Sequence, residues 1–319
     1  MTQVKGPIDV HSHLVPKELL TELGASISGE GDFTIKVAGK TIGPVTRGFF
    51  DVEARMKENE RLGVGTQVVS MTHHLFMYNE KVETATKVAK RYNELMSRVC
   101  AEHADFVCNA TVPLQDGKKA AEELEHAYEL GLRGVEIGTN VGGRNLDDQS
   151  LFDFYAKAQE LNLPIFVHPG DIMAQERLKK YYMEIVVGTL AETMVAVSSV
   201  LFGGVLRQFP RLKLVFCHGG GAIPYQLGRL RRATEVRQEL KGVDVGDVKR
   251  LYFDTVLFEA SSLKFLIEAV GAERVVLGTD YPFNMGDWEA VKLVNSLNVS
   301  ENVKRRILFD NASEIYNVK

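Results

Sequence analysis

Five side chains able to hold a metal ion or move a proton stand where short apolar runs end. His11 and His13 follow Ile8-Asp9-Val10, His168 follows Ile165-Phe166-Val167, and His218 follows Val215-Phe216-Cys217. Asp280 follows Val276-Leu277-Gly278-Thr279 in the same manner. Residues i and i+2 of an extended strand face one side, so His11 and His13 can point together. Imidazole and carboxylate suit zinc and related divalent ions, and imidazole also titrates where general acid–base work is done. A lone histidine at such a place reads most simply as a hydrogen-bonded core residue. Five strand-end groups converging on one rim instead call for a metal centre. His73 and His74 are weaker candidates, as pocket-lining or plain loop residues. His103 and His126 lie in helical segments, where a solvated face is the default.

What must position these groups is a set of eight apolar runs: Ile8–Val10, Thr66–Met71, Phe106–Thr111, Gly134–Gly138, Pro164–Val167, Leu212–Cys217, Leu251–Thr255 and Arg274–Gly278. Continuous apolar stretches such as Leu214-Val215-Phe216 suit parallel strands buried on both faces. Helical segments alternate with them, among them Glu80–His103, Lys118–Leu130 and Leu151–Leu161. Eight strand–helix alternations predict a closed (β/α)₈ TIM barrel, in which strand C-termini face the active site. The competitor is an open doubly wound sheet, but no G-x-G-x-x-G turn follows the first strand. Two segments exceed ordinary connectors and are expected to wall the site: Val15–Phe50, a small insertion after strand one with a hairpin around Thr34–Val37, and Gly170–Thr189. The expectation is a single barrel domain over residues 1–319.

The chain has 319 residues, 45% hydrophobic and 25% charged, with a formal net charge of −4. That balance gives no whole-protein attraction to nucleic acid or to anionic membrane. The apolar stretches read as too short to span a bilayer, and Met1–Pro7 lacks the apolar run of a signal peptide. Three cysteines, Cys100, Cys108 and Cys217, form no disulfide framework and read as small core residues. A cytoplasmic location is the expectation that follows. Cys217 on a strand would point away from His218 and is not expected to be a nucleophile.

The ordered set His11-Ser12-His13, Val167-His168-Pro169, His218-Gly219-Gly220-Gly221 and Gly278-Thr279-Asp280-Tyr281-Pro282-Phe283 resembles the amidohydrolase superfamily. Within it the chain looks like aminocarboxymuconate-semialdehyde decarboxylase and its relatives. Val112-Pro113-Leu114-Gln115-Asp116, Ala191-Glu192-Thr193 and Leu227-Gly228-Arg229 extend the likeness over nearly the whole chain. The resemblance implies a catalytic divalent ion, zinc with manganese or cobalt as alternatives, held by His11, His13, His168 and Asp280. It implies that His218 is the acid–base group beside the ion, that the enzyme is a homodimer, and that Arg229 reaches a substrate carboxylate across the subunit boundary. The implied reaction is nonoxidative loss of CO₂ from a small unsaturated or aromatic carboxylic acid. Hydrolysis of a lactone, amide or cyclic imine is the main alternative, and hydration of an unsaturated diacid a third. A noncatalytic barrel with a structural metal fits less well, since structural zinc sites have closed protein-only shells. Two departures bear on substrate. The family's second carboxylate-binding arginine falls at Gly43, with Arg47 nearby, and its tryptophan after the VHP motif is replaced by Gly170.

Overall fold

The computed structural model describes residues 4–318. Its main sheet has eight strands: β1 (Ile8–His13), β2 (Thr66–Ser70), β3 (Phe106–Ala110), β4 (Gly134–Gly138), β5 (Pro164–His168), β6 (Lys213–Phe216), β7 (Tyr252–Asp254) and β8 (Val275–Val276). They lie side by side in chain order, and every ladder between neighbours is parallel. The ends meet: the Val10 amide donates to the Leu277 carbonyl at 2.9 Å, and the Asp280 amide to the His11 carbonyl at 2.8 Å. All eight expected runs are strands, each within a few residues of its expected bounds.

Parallel neighbours need crossovers, and the helices supply them with capping chemistry visible in the sequence. Asp51 accepts from the Ala54 amide at the start of helix Val52–Leu62, and Gly63 ends it in the left-handed region. Asp116 accepts from the Lys118 and Lys119 amides before helix Gly117–Glu129. These are standard N- and C-cap devices. Helix Val82–Glu102 buries Ala85, Val88, Ala89, Tyr92, Leu95 and Met96, one stripe at helical spacing.

Two apolar layers result. One lies between sheet and helices. The other fills the barrel, where Ile8, Val10, Val68, Val107, Phe166 and Val215 pack on Ala312, Ile315 and Tyr316 of the C-terminal helix. That helix, Asn311–Tyr316, plugs the end of the barrel away from the strand C-termini.

The insertion after β1 is a three-stranded antiparallel sheet, Ser26–Ser28, Phe33–Val37 and Lys40–Val45. It exceeds the expected hairpin by one strand. Segment Gly170–Thr189 runs through a short helix, Gln175–Leu178, and an irregular turn into helix Thr189–Phe202.

Two readings need correction. Cys100 and Cys108 are joined in a disulfide between helix Val82–Glu102 and β3, leaving Cys217 as the free, buried cysteine. The separation of only eight residues hid the pairing, because β3 folds straight back onto the helix that precedes it. The continuous helical stretch Glu184–Phe202 is 19 residues and apolar enough by length and composition to cross a membrane. Here it is the crossover between β5 and β6, with Ala196, Val197, Val200 and Leu201 in the outer core.

Candidate active site

The placement of His11 and His13 depends on an irregularity in β1. Ile8 and Val10 face the barrel interior. Asp9 faces the helices, where it accepts from Gln67, whose side chain in turn accepts from Arg55. The ladder to β2 then shifts register between Asp9 and Ser12. A bulge of this kind reverses which residues face inward. Ser12 lies on the helix side beside Arg55, and both His11 and His13 point into the barrel mouth. Strict alternation from Asp9 would have turned them outward.

Each of the three ring systems is fixed through Nδ1. His11 Nδ1 donates to Asp254 Oδ2 at 2.6 Å, both groups fully buried. His168 Nδ1 donates to the Pro169 carbonyl at 2.9 Å, and His13 Nδ1 faces the Met71 carbonyl at 3.4 Å. Their Nε2 atoms are therefore the ones turned towards the site. His11 Nε2 and His13 Nε2 each lie 3.3 Å from Asp280 Oδ1. Among the described residues, His11 Nε2, His13 Nε2, His168 Nε2 and Asp280 Oδ1 are buried polar atoms without a hydrogen-bond partner. Orphaned buried atoms are costly. Three imidazole nitrogens and one carboxylate oxygen converging without partners have the composition of a divalent-metal donor set.

His218 stands beside this cluster, its Nε2 3.6 Å from Asp280 Oδ2. Its donor atom also falls, with one each from His11, His168 and Asp280, in a group spanning no more than 4.8 Å. His218 and Asp280 both hold left-handed backbone, at φ 52° and 58°. The sharp turn at His218 also brings the Cys217 sulfur to 3.2 Å from His218 Nδ1. Cys217 thus touches His218 rather than pointing away, because the strand ends at Phe216. Burial pushes its thiol well up, which keeps it protonated and unreactive.

The electrostatics favour a cation at this cluster. Burial pushes the Asp280 carboxyl up, but the charge on His11 and the close imidazoles of His13 and His218 outweigh this and hold it well below the usual range. Burial pulls His11 down, yet the Asp280 and Asp254 carboxylates hold it well above its ordinary value. Burial lowers His13 and, more strongly, His168.

Several supporting residues escaped the sequence reading. Asp254 is the main one: its Oδ1 accepts from the Gly219 and Val256 amides while Oδ2 holds His11. It ends β7 as Asp280 follows β8, so the same strand-end pattern could have found it. Arg55, fully buried, bonds Ser12, the His13 carbonyl, Gln67 and the Gly48 carbonyl, and so clamps the end of β1. Glu136 lies 3.9 Å from His13 Nδ1, and burial pushes its carboxyl well up.

A cavity of about 610 Å³ opens above the cluster, with His168, His218 and Asp280 in its lining. Thr41 and Gly43 of the insertion, Tyr182 and Ile185 of the segment after β5, and Phe258 and Phe283 also line it. Both long segments thus wall the site as expected. Arg229 is exposed on helix Ile223–Val236 and is not in this lining. Arg47 is tied to Asp51 at 2.7 Å and is not in it either.

The amidohydrolase family model matches residues 8–318. The chain belongs to the amidohydrolase family. Among relatives in this family, 2-amino-3-carboxymuconate-6-semialdehyde decarboxylase of Dictyostelium discoideum is 33% identical, over 96% of this chain and 90% of its own. Its Caenorhabditis elegans counterpart is 29% identical over 98% and 94%. The solved structure of 5-carboxyvanillate decarboxylase from Sphingomonas paucimobilis superposes with a TM-score of 0.84 at 22% identity, covering all of both chains. These amidohydrolase relatives confirm the barrel and the family to which the ordered motifs pointed.

Proposed function

We propose that this protein is a metal-dependent nonoxidative decarboxylase of a small unsaturated or aromatic carboxylic acid. The observation that carries it is the convergence of four partnerless buried atoms, on His11, His13, His168 and Asp280, beside His218 at the floor of an accessible cavity. The choice of a carboxy-lyase over a hydrolase rests on the full-length likeness to a decarboxylase at 33% identity.

His11, His13, His168 and Asp280 would hold the ion, with zinc as the first assignment and manganese or cobalt as alternatives. A divalent ion bound there supplies Lewis-acid polarisation of the substrate's oxygen atoms. Asp254 keeps the His11 proton on Nδ1, so that Nε2 faces the site. His218 presents Nε2 to the same space and serves as the acid. The bond between the substrate carbon and its carboxylate breaks, and the electron pair stays on carbon. The His218 proton then forms the new C–H bond as CO₂ leaves. The open cavity returns a proton to His218 from solvent. Arg229, exposed on helix Ile223–Val236, is assigned to the substrate of a neighbouring subunit, which makes a homodimer part of the proposal. A guanidinium there would grip a carboxylate by two parallel hydrogen bonds.

The test is CO₂ release by metal-loaded protein from a panel of aromatic and unsaturated acids. A loaded sample that opened lactones and released no CO₂ would make hydrolysis the correct reading.

A further inference from the structure

The segment between β5 and helix Thr189–Phe202 supplies Leu178, Lys179, Tyr182, Glu184 and Ile185 to the cavity lining. Its two ends are anchored. Asn140 donates to the Asp171 carbonyl at 3.0 Å, and the Met173 amide donates to Glu192 Oε1 at 2.7 Å. At the far end helix Thr189–Phe202 buries Thr189, Glu192 and Thr193. Between these anchors the backbone bonds are local: Arg177 to Ala174, Met183 to Lys180 and Ile185 to Tyr182. Among the described residues, no hydrogen bond or ion pair of residues 174–183 reaches beyond the adjoining turn. None of their side chains belongs to a hydrophobic core. Ala174, Tyr181 and Tyr182 hold left-handed backbone, at φ 50°, 61° and 59°. That region is disfavoured for residues with a side chain and persists where the surroundings enforce it. Tyr181 is 86% exposed and Tyr182 53%, so packing does not enforce it here. The result is a strained strap with free sides, joined to its helix through a π-helical turn, Glu184–Gly188. Lids are drawn from weakly held chain of this kind.

Lys179 gives the strap a chemical purpose. It is the one lysine or arginine of this chain in the cavity lining. It is exposed and, among the described residues, forms no ion pair, not even with Glu184 of the same lining. At an open mouth water solvates an ammonium on a long flexible stem. Carried inward, the same group would be desolvated and would need an anion beside it. The anion that enters this cavity in the proposed reaction is the carboxylate of the acid. Inward movement is therefore unfavourable for the empty cavity and favourable for the filled one, the differential interaction that ligand-driven closure requires.

We propose that Lys179 is a substrate-binding residue, delivered to the carboxylate of a bound acid by inward closure of residues 174–183. Its ligand is the acid of the decarboxylase reading, on which this rests. Closure also draws Leu178 and Tyr182 over the mouth and excludes water while His218 delivers its proton. The experiment is calorimetric binding of benzoate and of its neutral isostere benzamide to the zinc-loaded, full-length protein. Hydrogen exchange of residues 174–183 is followed with and without saturating benzoate, and CO₂ release from the acid panel is assayed separately. Benzoate slows exchange in this segment. Lys179→Met keeps the zinc content and weakens benzoate about 10–100-fold, the worth of a hydrogen bond to a charged group, while benzamide stays within about two-fold. Lys179→Arg retains most of the benzoate affinity. Lys180→Met, exposed and outside the lining, is the control for bulk charge and leaves benzoate binding unchanged. A Lys179→Met protein that loses no more benzoate affinity than Lys180→Met overturns the role of Lys179. Unchanged exchange at saturation overturns the closure, and no measurable benzoate binding overturns both. Benzoate binding that depends on Lys179, with no CO₂ released from any acid, overturns the decarboxylase reading and leaves the lid standing. CO₂ release that is equal in parent and Lys179→Met at subsaturating acid overturns this inference and leaves the reaction standing.

Discussion

Asp254→Asn tests how the donor set is built. In the folded chain His11 Nδ1 donates to Asp254 Oδ2 at 2.6 Å, and Asp254 Oδ1 accepts from two amides. An asparagine keeps its oxygen where the two amides need it, so its NH₂ must face His11. A donor there forces Nδ1 to accept, which moves the ring proton to Nε2, the atom aimed at the ion. The lone pair is then lost unless the asparagine turns over and abandons both amides. Loss of such an orienting carboxylate lowers metal affinity about 10–100-fold, or about 1.4–2.7 kcal/mol. The assay is zinc competition against a chromophoric chelator, with thermal unfolding of the metal-free protein as the control for folding. An Asp254→Asn protein that folds normally and binds zinc within about two-fold of the parent would refute the argument, because 10-fold is the smallest loss expected.

Further outcomes follow from the same geometry. His218→Ala should retain zinc and lose about 10²–10⁴-fold in turnover, the usual worth of a general acid; loss of the metal would place His218 among the ligands instead. Arg229→Ala should raise KM without altering metal content, and sedimentation should show a dimer; an unchanged KM would remove Arg229 from the substrate site. Because Asp280 and Asp254 hold His11 well above its ordinary value, the metal-free site carries a proton that zinc must displace. Affinity should therefore rise with pH, and calorimetry in buffers of different ionisation enthalpy should show proton release; no release would count against this. His74 is lowered to about 4, so its contribution to stability is complete above the unfolded value near 6.5 and is lost as pH falls from there toward 4. His74→Phe should accordingly flatten the decline of Tm over that window; an equally steep decline would assign the acid sensitivity elsewhere.

The barrel was legible because its strands are buried on both faces and so are apolar throughout, which a linear reading detects. The five strand-end groups were legible for a related reason: each interrupts such a run at one end. Asp254 shows the same pattern in Tyr252-Phe253-Asp254 but has no motif around it, and its role appears only when β7 lies near β1. The inward turn of His11 was reached by spacing alone, whereas its physical cause is the register shift after Asp9. A bulge depends on the partner strand and leaves no mark in one-dimensional periodicity. The Cys100–Cys108 pairing and the contact of Cys217 with His218 were hidden likewise, since each depends on a chain reversal. For the cavity walls, sequence marked the segments and not the side chains that face inward. His73 and His74 were marked as pocket-lining or plain loop residues with nothing to choose between the two, and Glu184 drew no attention.

The left-handed turns at His218 and Asp280 bear on how the protein acquires its ion. Such backbone is disfavoured for most L-residues, though aspartate and histidine tolerate it better than most. Both turns lock as the barrel closes, Asp280 through its amide bond to the His11 carbonyl and His218 through the Asp254 grip on the next amide. The donor atoms are thus assembled by folding rather than by the cation. A divalent ion entering this protein meets a rigid chelate, so the rate of capture should be governed by stripping of the ion's hydration shell. Its escape should be slow and should require simultaneous release of several ligands, with no single flexible arm able to lift away.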